Sequence, residues 1–283
     1  MKSVLRPDNP ELLTGIYKLY REFFDLAERK RRWSLTDDIP WDQCNRGIDP
    51  AIADVVESFC AVELYLPDYV AKALPMIRAN KGWAWFHANW GYEESKHSLA
   101  LGDWLLRSGV RTEEQMADLE GQVFAHEWNL PHDSPSGMLI YAMVQELATG
   151  LTYRNLRRQV GEQADPALSK LLSLLGVDEQ AHYSFFLNAV RLYLRHDRDE
   201  TLRQLHRVLE TFAMPAIGGL VDGRRRAEVI RVLQVFDHQI YYREVYHPVL
   251  EALGVTRPEL RRAGGRGKPG IGVALRAGDQ VLP

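Results

Sequence analysis

Two copies of one short pattern restrict what this chain can fold into. Residues 93–97 read Glu-Glu-Ser-Lys-His, and residues 178–182 read Asp-Glu-Gln-Ala-His. On a helix, residues three apart lie on one face. Glu94 with His97, and Glu179 with His182, therefore each present a carboxylate and an imidazole to the same side, where the pair can grip a metal ion.

A site for two metals needs one further carboxylate for each pair, brought in from another helix. Glu63 precedes Glu94 by 31 residues and Glu146 precedes Glu179 by 33, so the two halves repeat at an offset of 83 to 85 residues. A solitary Glu-x-x-His is common by chance; two copies with matched upstream glutamates are not. A solvated, charged helix face would not explain the apolar company of these acids. Phe59, Val62 and Leu66 surround Glu63; Met143, Leu147 and Leu151 surround Glu146; Phe185 and Phe186 follow His182.

The 283 residues, 46% hydrophobic, suffice for a large core, and evenly spaced helical patterns without a linker favour one domain over residues 1–260. A formal net charge of −3 does not suggest a nucleic-acid binder. Cys44 and Cys60 fit no metal-ligand spacing, and a cytoplasmic setting is the simpler one. The N-terminus shows no signal-peptide pattern and no run of 18 apolar residues occurs, so neither export nor a membrane span is expected.

The order of elements follows from periodicity and punctuation. Residues 10–32 predict a helix with an apolar stripe of Leu12, Leu13, Ile16, Leu19, Tyr20, Phe23 and Phe24, ending in the basic run Arg29 to Arg32. Asp49-Pro50 starts a helix to about Asn80, with a kink expected near Glu63 because Pro67 has no N–H for the Glu63 carbonyl; a break into two helices is the alternative. Residues 82–108 form the next helix, then a capped helix from Thr112 to about Glu127. His126 and His132 are assigned to the surface. Helices over 137–160, 165–194, 199–213 and 223–253 follow, and Gly- and Arg-rich residues 261–283 are expected to form a flexible tail. No strand pattern stands out, so the fold is all-α: a four-helix core with additional packed helices.

Four carboxylates and two imidazoles make an oxygen-rich set that suits Fe or Mn better than Zn. They also neutralise two divalent ions, which lets the site sit in an apolar core. A ligating histidine usually donates its other N–H to an acceptor. Glu93 and Asp178 are the candidates, in a crossed arrangement: Asp178 to His97 and Glu93 to His182.

At these residues the chain resembles the soluble acyl-acyl-carrier-protein desaturases, within the ferritin-like diiron superfamily. The resemblance runs from about residue 20 to 250. It rests on Glu63 followed by Leu66-Pro67-Asp68-Tyr69, the box Glu93 to His97, and Gln145-Glu146-Leu147-Ala148-Thr149 with Asn155 beyond. The box Asp178 to His182 and the element Trp33-x-x-x-Asp37-x-x-Pro40 complete it. It implies a ferritin-like bundle in which Glu63, Glu94, His97, Glu146, Glu179 and His182 bind two Fe ions. It also implies that Thr149 helps deliver protons, and that Trp33, Asp178 and His97 carry electrons to the iron. Homodimers, a ferredoxin-type donor, O2 as co-substrate and an acyl carrier protein or other acyl thioester as partner follow from the same resemblance. The acidic carrier would need a basic patch, for which Arg29 to Arg32 and Arg224 to Arg226 are candidates.

The function expected is therefore insertion of a cis double bond into a carrier-bound acyl chain. The chain is shorter than plant members and differs widely outside the ligand boxes. The alternative keeps the metals and changes the outcome: hydroxylation, N-oxygenation or C–C cleavage of a specialised-metabolite substrate. A ferritin-like storage or peroxide-detoxifying role is a third reading, and a metal-free structural partner a fourth. Length, the extra helices and the Trp33 and Thr149 elements weigh against the third, and the six intact ligand positions against the fourth.

Overall fold

The structure, a computed structural model, describes residues 9–214, 217, 220 and 222–265. Among these every regular element is helical. The helices are α1 (Pro10–Leu26), α2 (Pro50–Glu63), α3 (Leu66–Ile77), α4 (Lys81–Arg107), α5 (Glu113–Phe124), α6 (Pro135–Val160) and α7 (Pro166–His196). They continue with α8 (Arg198–Thr211), α9 (Gly223–Val232), α10 (His238–Ile240), α11 (His247–Leu253) and α12 (Arg257–Ala263). Their buried apolar side chains form one core, and the fold is the ferritin-like bundle.

Four of these helices carry the two Glu-x-x-His boxes and their upstream glutamates. Antiparallel α6 and α7 make the most extensive contact, α2 packs on α4, and α1 lies across α4 and α7. The starts are set by side chains that accept from orphan backbone N–H groups: Asp49 from Ala51, Asn80 from Trp83, Ser134 from Gly137 and Asp165 from Leu168. Thr112 and Gln115 form the expected capping box. Buried Asp165 does more than cap α7. Its other oxygen accepts from the Trp104 indole at 3.0 Å and the Asn45 backbone at 3.0 Å, tying the loop before α2 to α4 and α7.

The structure departs from the sequence reading at four places. The region around Pro67 is a break: α2 ends at Glu63, Leu64 and Tyr65 turn, and Pro67 sits in the first turn of α3, where its missing N–H costs nothing. The first helix changes register: Ala27–Arg31 widens to a π-turn before the chain extends at Arg32. The last long helix is interrupted between Val232 and His238 and contains a second π-segment, Tyr241–Tyr246. Arg261 belongs to α12, which buries Leu260, and residues 266–283 of the expected tail lie outside the described residues. No helix among the described residues is long and apolar enough to cross a membrane.

Candidate metal centre

The structure brings all six expected ligand residues together, each buried. Donor atoms of Glu63, Glu94, His97 and Glu179 lie within 4.8 Å of one another, as do those of Glu94, Glu146, Glu179 and His182. The two groups share Glu94 and Glu179, so these carboxylates stand between two adjoining positions, while Glu63 and Glu146 each belong to one. Glu63 comes from the last residue of α2, Glu146 from mid-α6, and the two boxes from mid-α4 and mid-α7.

The imidazoles are oriented from outside. His182 Nε2 lies 2.7 Å from Glu93, and His97 Nε2 lies 3.4 Å from Asp178. Each histidine thus turns one nitrogen to the acid of the other box. With the proton on Nε2, the Nδ1 lone pairs point inward. His97 Nδ1 stands 3.1 Å from Glu94 and 3.3 Å from Glu179, and His182 Nδ1 stands 3.1 Å from Glu94 and 3.2 Å from Glu146.

Two buried atoms in this cluster, His97 Nδ1 and Glu179 Oε1, have no hydrogen-bond partner, although buried polar atoms normally have one. The electrostatics are equally unbalanced. Burial, reinforced by Glu94, pushes the Glu63 carboxyl up to about 8. Burial with Glu94 and Glu146 drives Glu179 well above the carboxylate range. Burial would raise Glu94 too, but His97 and His182 hold it at about 2. Desolvation disfavours both imidazolium ions, yet the surrounding carboxylates raise His97 and His182 well above the usual value. Orphaned lone pairs and crowded like charges are what a pair of cations would relieve. Hard oxygens with one imidazole per position fit iron, and the cluster fits a diiron centre.

Four residues outside the expected set complete the site. Tyr153 Oη donates to Glu63 at 2.6 Å, and Trp90 Nε1 donates to Glu146 at 3.1 Å. Arg31 bridges the two outer acids, with Nη atoms 2.9 Å from Glu93 and a close bond to Asp178. Arg32 also bonds Glu93. These cations explain why Glu93 and Asp178 stay ionised: burial opposes charge, but the histidines and Arg31 outweigh it and hold both acids below their ordinary range. Tyr153 and Trp90 had a signal, since they stand seven residues after Glu146 and four before Glu94 on the same faces. Arg31 had none, because the π-turn that swings it inward is not visible in the sequence.

Trp33 is a buried group and not a surface loop anchor. Its Nε1 donates to Asp178 at 2.7 Å, its carbonyl accepts from Lys96, and the Lys96 ammonium lies 3.8 Å from its ring centroid. Thr149 stands one turn after Glu146, half-buried. Asn155 holds the Val235 carbonyl at 3.0 Å, away from the cluster. His132, assigned to the surface from its loop, is buried beside Tyr141, and burial lowers its pKa; His126 is exposed. The basic run is not a uniform patch either. Arg29 and Lys30 are exposed, while Arg31 and Arg32 serve Glu93 and Asp178. Arg225 and Arg226 pair with Asp54 and Glu57 of α2.

An apolar cavity of about 50 Å³ ends on Glu146 and is walled by Tyr69, Met76, Trp90, Tyr141 and Phe186. His87 also lines it, stacked on Trp90, and burial lowers its pKa so that it is neutral.

A ferritin-like helical bundle built around a buried carboxylate-histidine cluster of this kind defines a non-haem diiron oxidoreductase. The profile of the fatty acid desaturase family matches residues 61–262, and the chain belongs to that family. DesA1 of Mycobacterium tuberculosis, described as an acyl-acyl-carrier-protein desaturase, is 26% identical over 241 residues, 77% of this chain and 70% of that protein. The chloroplastic acyl-acyl-carrier-protein desaturase 7 of Oryza sativa is 30% identical over 152 residues, 52% of this chain and 36% of that one. Among solved structures, M. tuberculosis DesA2 superposes with a TM-score of 0.69 at 18% identity, covering 89% of this chain and 99% of that one. An R2-like ligand-binding oxidase reconstituted with an Fe/Fe cofactor superposes with a TM-score of 0.57 at 16% identity, covering 90% and 96%.

Proposed function

We propose that the protein desaturates a carrier-bound acyl chain, with Glu63, Glu94, His97, Glu146, Glu179 and His182 holding two irons. The observation that carries this reading is the apolar cavity that ends on Glu146, one face of the diiron cluster. An alkyl chain laid there brings its methylenes to the metals with no polar group of its own to satisfy. When bound, the iron pair supplies the oxidising power, with O2 and two external electrons, to remove hydrogen from two adjacent methylenes.

The chain's residues do the rest. Tyr69, Met76 and Phe186 would fix the alkyl chain and exclude water. Trp90 and Tyr153 clamp the outer oxygens of Glu146 and Glu63. Arg31 keeps Glu93 and Asp178 anionic, so that they hold the histidine protons on Nε2. The chain of contacts Trp33–Asp178–His97 supports a route for electrons from a ferredoxin-type donor, and Thr149 the delivery of protons. Exposed Arg29, Lys30 and Arg224 remain as docking cations for an acidic acyl carrier protein. Two free cysteines fit a reducing compartment such as the cytoplasm.

A homodimer would form on α4. Its outward face carries Trp85, Tyr92, Leu99 and Leu106, each seven residues from the last and 51%, 55%, 60% and 38% exposed. Between Lys81 and Asp103 every charged residue of α4 is buried. A solvated helix face should be charged; a seven-residue apolar repeat is the pattern of a helix pair.

The volume of the cavity favours a second reading. About 50 Å³ leaves no room for a long alkyl chain unless side chains move, and oxygenation of a smaller substrate would need less movement. The deciding experiment is mass spectrometry after the iron-loaded, reduced protein meets O2 and palmitoyl- or stearoyl-loaded acyl carrier protein. Loss of two hydrogens establishes desaturation. Gain of one oxygen atom establishes the alternative, and an unchanged acyl chain removes this substrate class.

A further inference from the structure

The diiron cluster has a second side. Helices α6 and α7 leave between them a cleft of about 260 Å³, partly open to solvent, lined by Glu146 and Glu179 and sharing only Glu146 with the apolar cavity. The cleft is more polar than the cavity, although apolar side chains still make up most of its wall: Arg154, Arg157, Ser173 and Gln180 stand among such residues as Leu147 and Tyr183. The two guanidinium groups are held in place, Arg154 by Glu244 and Arg157 by the Ser169 hydroxyl at 3.1 Å.

Glycine keeps the cleft open. Gly150 stands one turn after Glu146 and Gly176 one turn before Glu179, and both line the opening. At Gly176 an added Cβ would meet no atom within 4 Å, and the backbone there has no positive φ. Neither packing nor backbone geometry requires glycine at this position, and glycine is among the poorest residues inside a helix. What it leaves behind is space over Glu179. Gly150 differs, because a Cβ there would lie 3.2 Å from the Glu179 Cβ and press on that residue directly.

The proposed reaction has a use for such an opening. Two hydrogens from the acyl chain, O2, two electrons and two protons balance to one double bond and two waters. Protons must therefore enter and water must leave while the alkyl chain stoppers the apolar side. We propose that the α6–α7 cleft is a solvent-open port through which water and small anions reach the Glu146–Glu179 edge of the metal cluster, separate from the cavity that takes the alkyl chain. The inference rests on the diiron reading. Arg154 is paired with Glu244 and Arg157 lies 3.9 Å from Glu162, so the opening is close to neutral and admits water and small anions alike.

Blocking the port tests it without any turnover assay. Gly176→Leu projects a side chain into the cleft, Gly176→Ala adds one methyl group, and Ser173→Leu fills the same space from a second position. The readouts are the rate at which azide binds the diferric protein, followed by its visible absorption, and the rate at which nitric oxide binds the diferrous protein. Azide binding should slow about tenfold in both leucine variants and little in the alanine variant, with nitric oxide binding and iron content unchanged. Unchanged azide rates in leucine variants that hold their iron would overturn the port. Equal slowing of azide and nitric oxide would overturn the separation of routes. A wild-type protein that takes up no iron would instead overturn the diiron reading itself.

Discussion

At the scale of single residues, the site is held together by charges that balance only in company. Arg31 is the clearest case. Its side chain is nearly buried and neutralises two buried carboxylates that in turn orient both histidines. Arg31→Met should leave Glu93 and Asp178 unpaired, at a cost of about 3–5 kcal/mol, read as a lower Tm of the metal-free protein together with weaker iron binding. Unaltered stability would mean that Arg32 and Lys96 suffice. Tyr153 tests the inner layer. Its hydroxyl lowers the proton affinity of Glu63, a carboxyl that burial already holds near 8. In Tyr153→Phe the pH midpoint of iron uptake should therefore move up; an unmoved midpoint would exclude Glu63 as the group whose proton the metal displaces. The contrast in legibility has a physical origin. The six clustered residues could be found because helical geometry converts sequence spacing into a shared face. Arg31 could not, because its partners are 62 and 147 residues away and no local rule connects them.

At the scale of elements, strong punctuation was readable and changes of winding were not. Asp-Pro starts, the Thr112 capping box and the apolar stripes located most helices, since each is a local effect of capping or periodicity. Pro67 announced an interruption but not whether the helix would kink or restart; in the restarted helix the Tyr69 hydroxyl bonds the Val62 carbonyl at 3.0 Å and ties α3 to the end of α2. The π-turn at Ala27–Arg31 left no mark in the sequence, yet it decides which way Arg31 points. A π-turn accommodates one extra residue, so deleting exposed Lys30 should restore α-helical winding while the Arg32 N–H still closes the turn on the Ala27 carbonyl. Trp33 would then keep Asp178, and Arg31, moved into the exposed place of Lys30, would lose it. Stability should fall about as far as in Arg31→Met, with helix content by circular dichroism unchanged. A variant as stable as the parent would show that Arg32 takes over the contacts of Arg31.

At the scale of the whole molecule, the metal-free protein stores protons that iron replaces. Glu63, ordinarily near 4.5, is raised to about 8, and Glu179 moves the same way. The folded chain thus binds protons that the unfolded chain has released, and this stabilisation, complete below about 4.5, is lost as pH rises towards 8. His97 and His182, raised from 6.5, act in the same direction above that pH. Glu93, Glu94 and Asp178, all depressed, act oppositely, and their contribution disappears in acid. The metal-free protein should therefore be most stable near pH 5, and iron should raise Tm more at about pH 8 than at about pH 6. Equal gains at both values would separate iron from these groups.

The proposed dimer belongs to the same scale, because α4 carries Glu94 and His97 on one face and the apolar repeat on the other. The repeat is symmetric about its centre, so an antiparallel two-fold pairing sets Trp85 against Leu106 and Tyr92 against Leu99 of a second copy, as an isologous contact requires. Two half-exposed aromatics and two leucines per copy bring on the order of 1,000 Å² of apolar surface together, about the least that a specific interface needs. Ala88 and Ser95, three residues after Trp85 and Tyr92, are small enough to let the helices approach closely. Leu99 is 60% exposed and touches nothing that the monomer depends on for its core. Leu99→Lys should therefore give a folded, iron-loaded monomer by light scattering, while Gln180→Lys on the α6–α7 side should stay dimeric. A Leu99→Lys protein that remains a dimer would place the contact on another face.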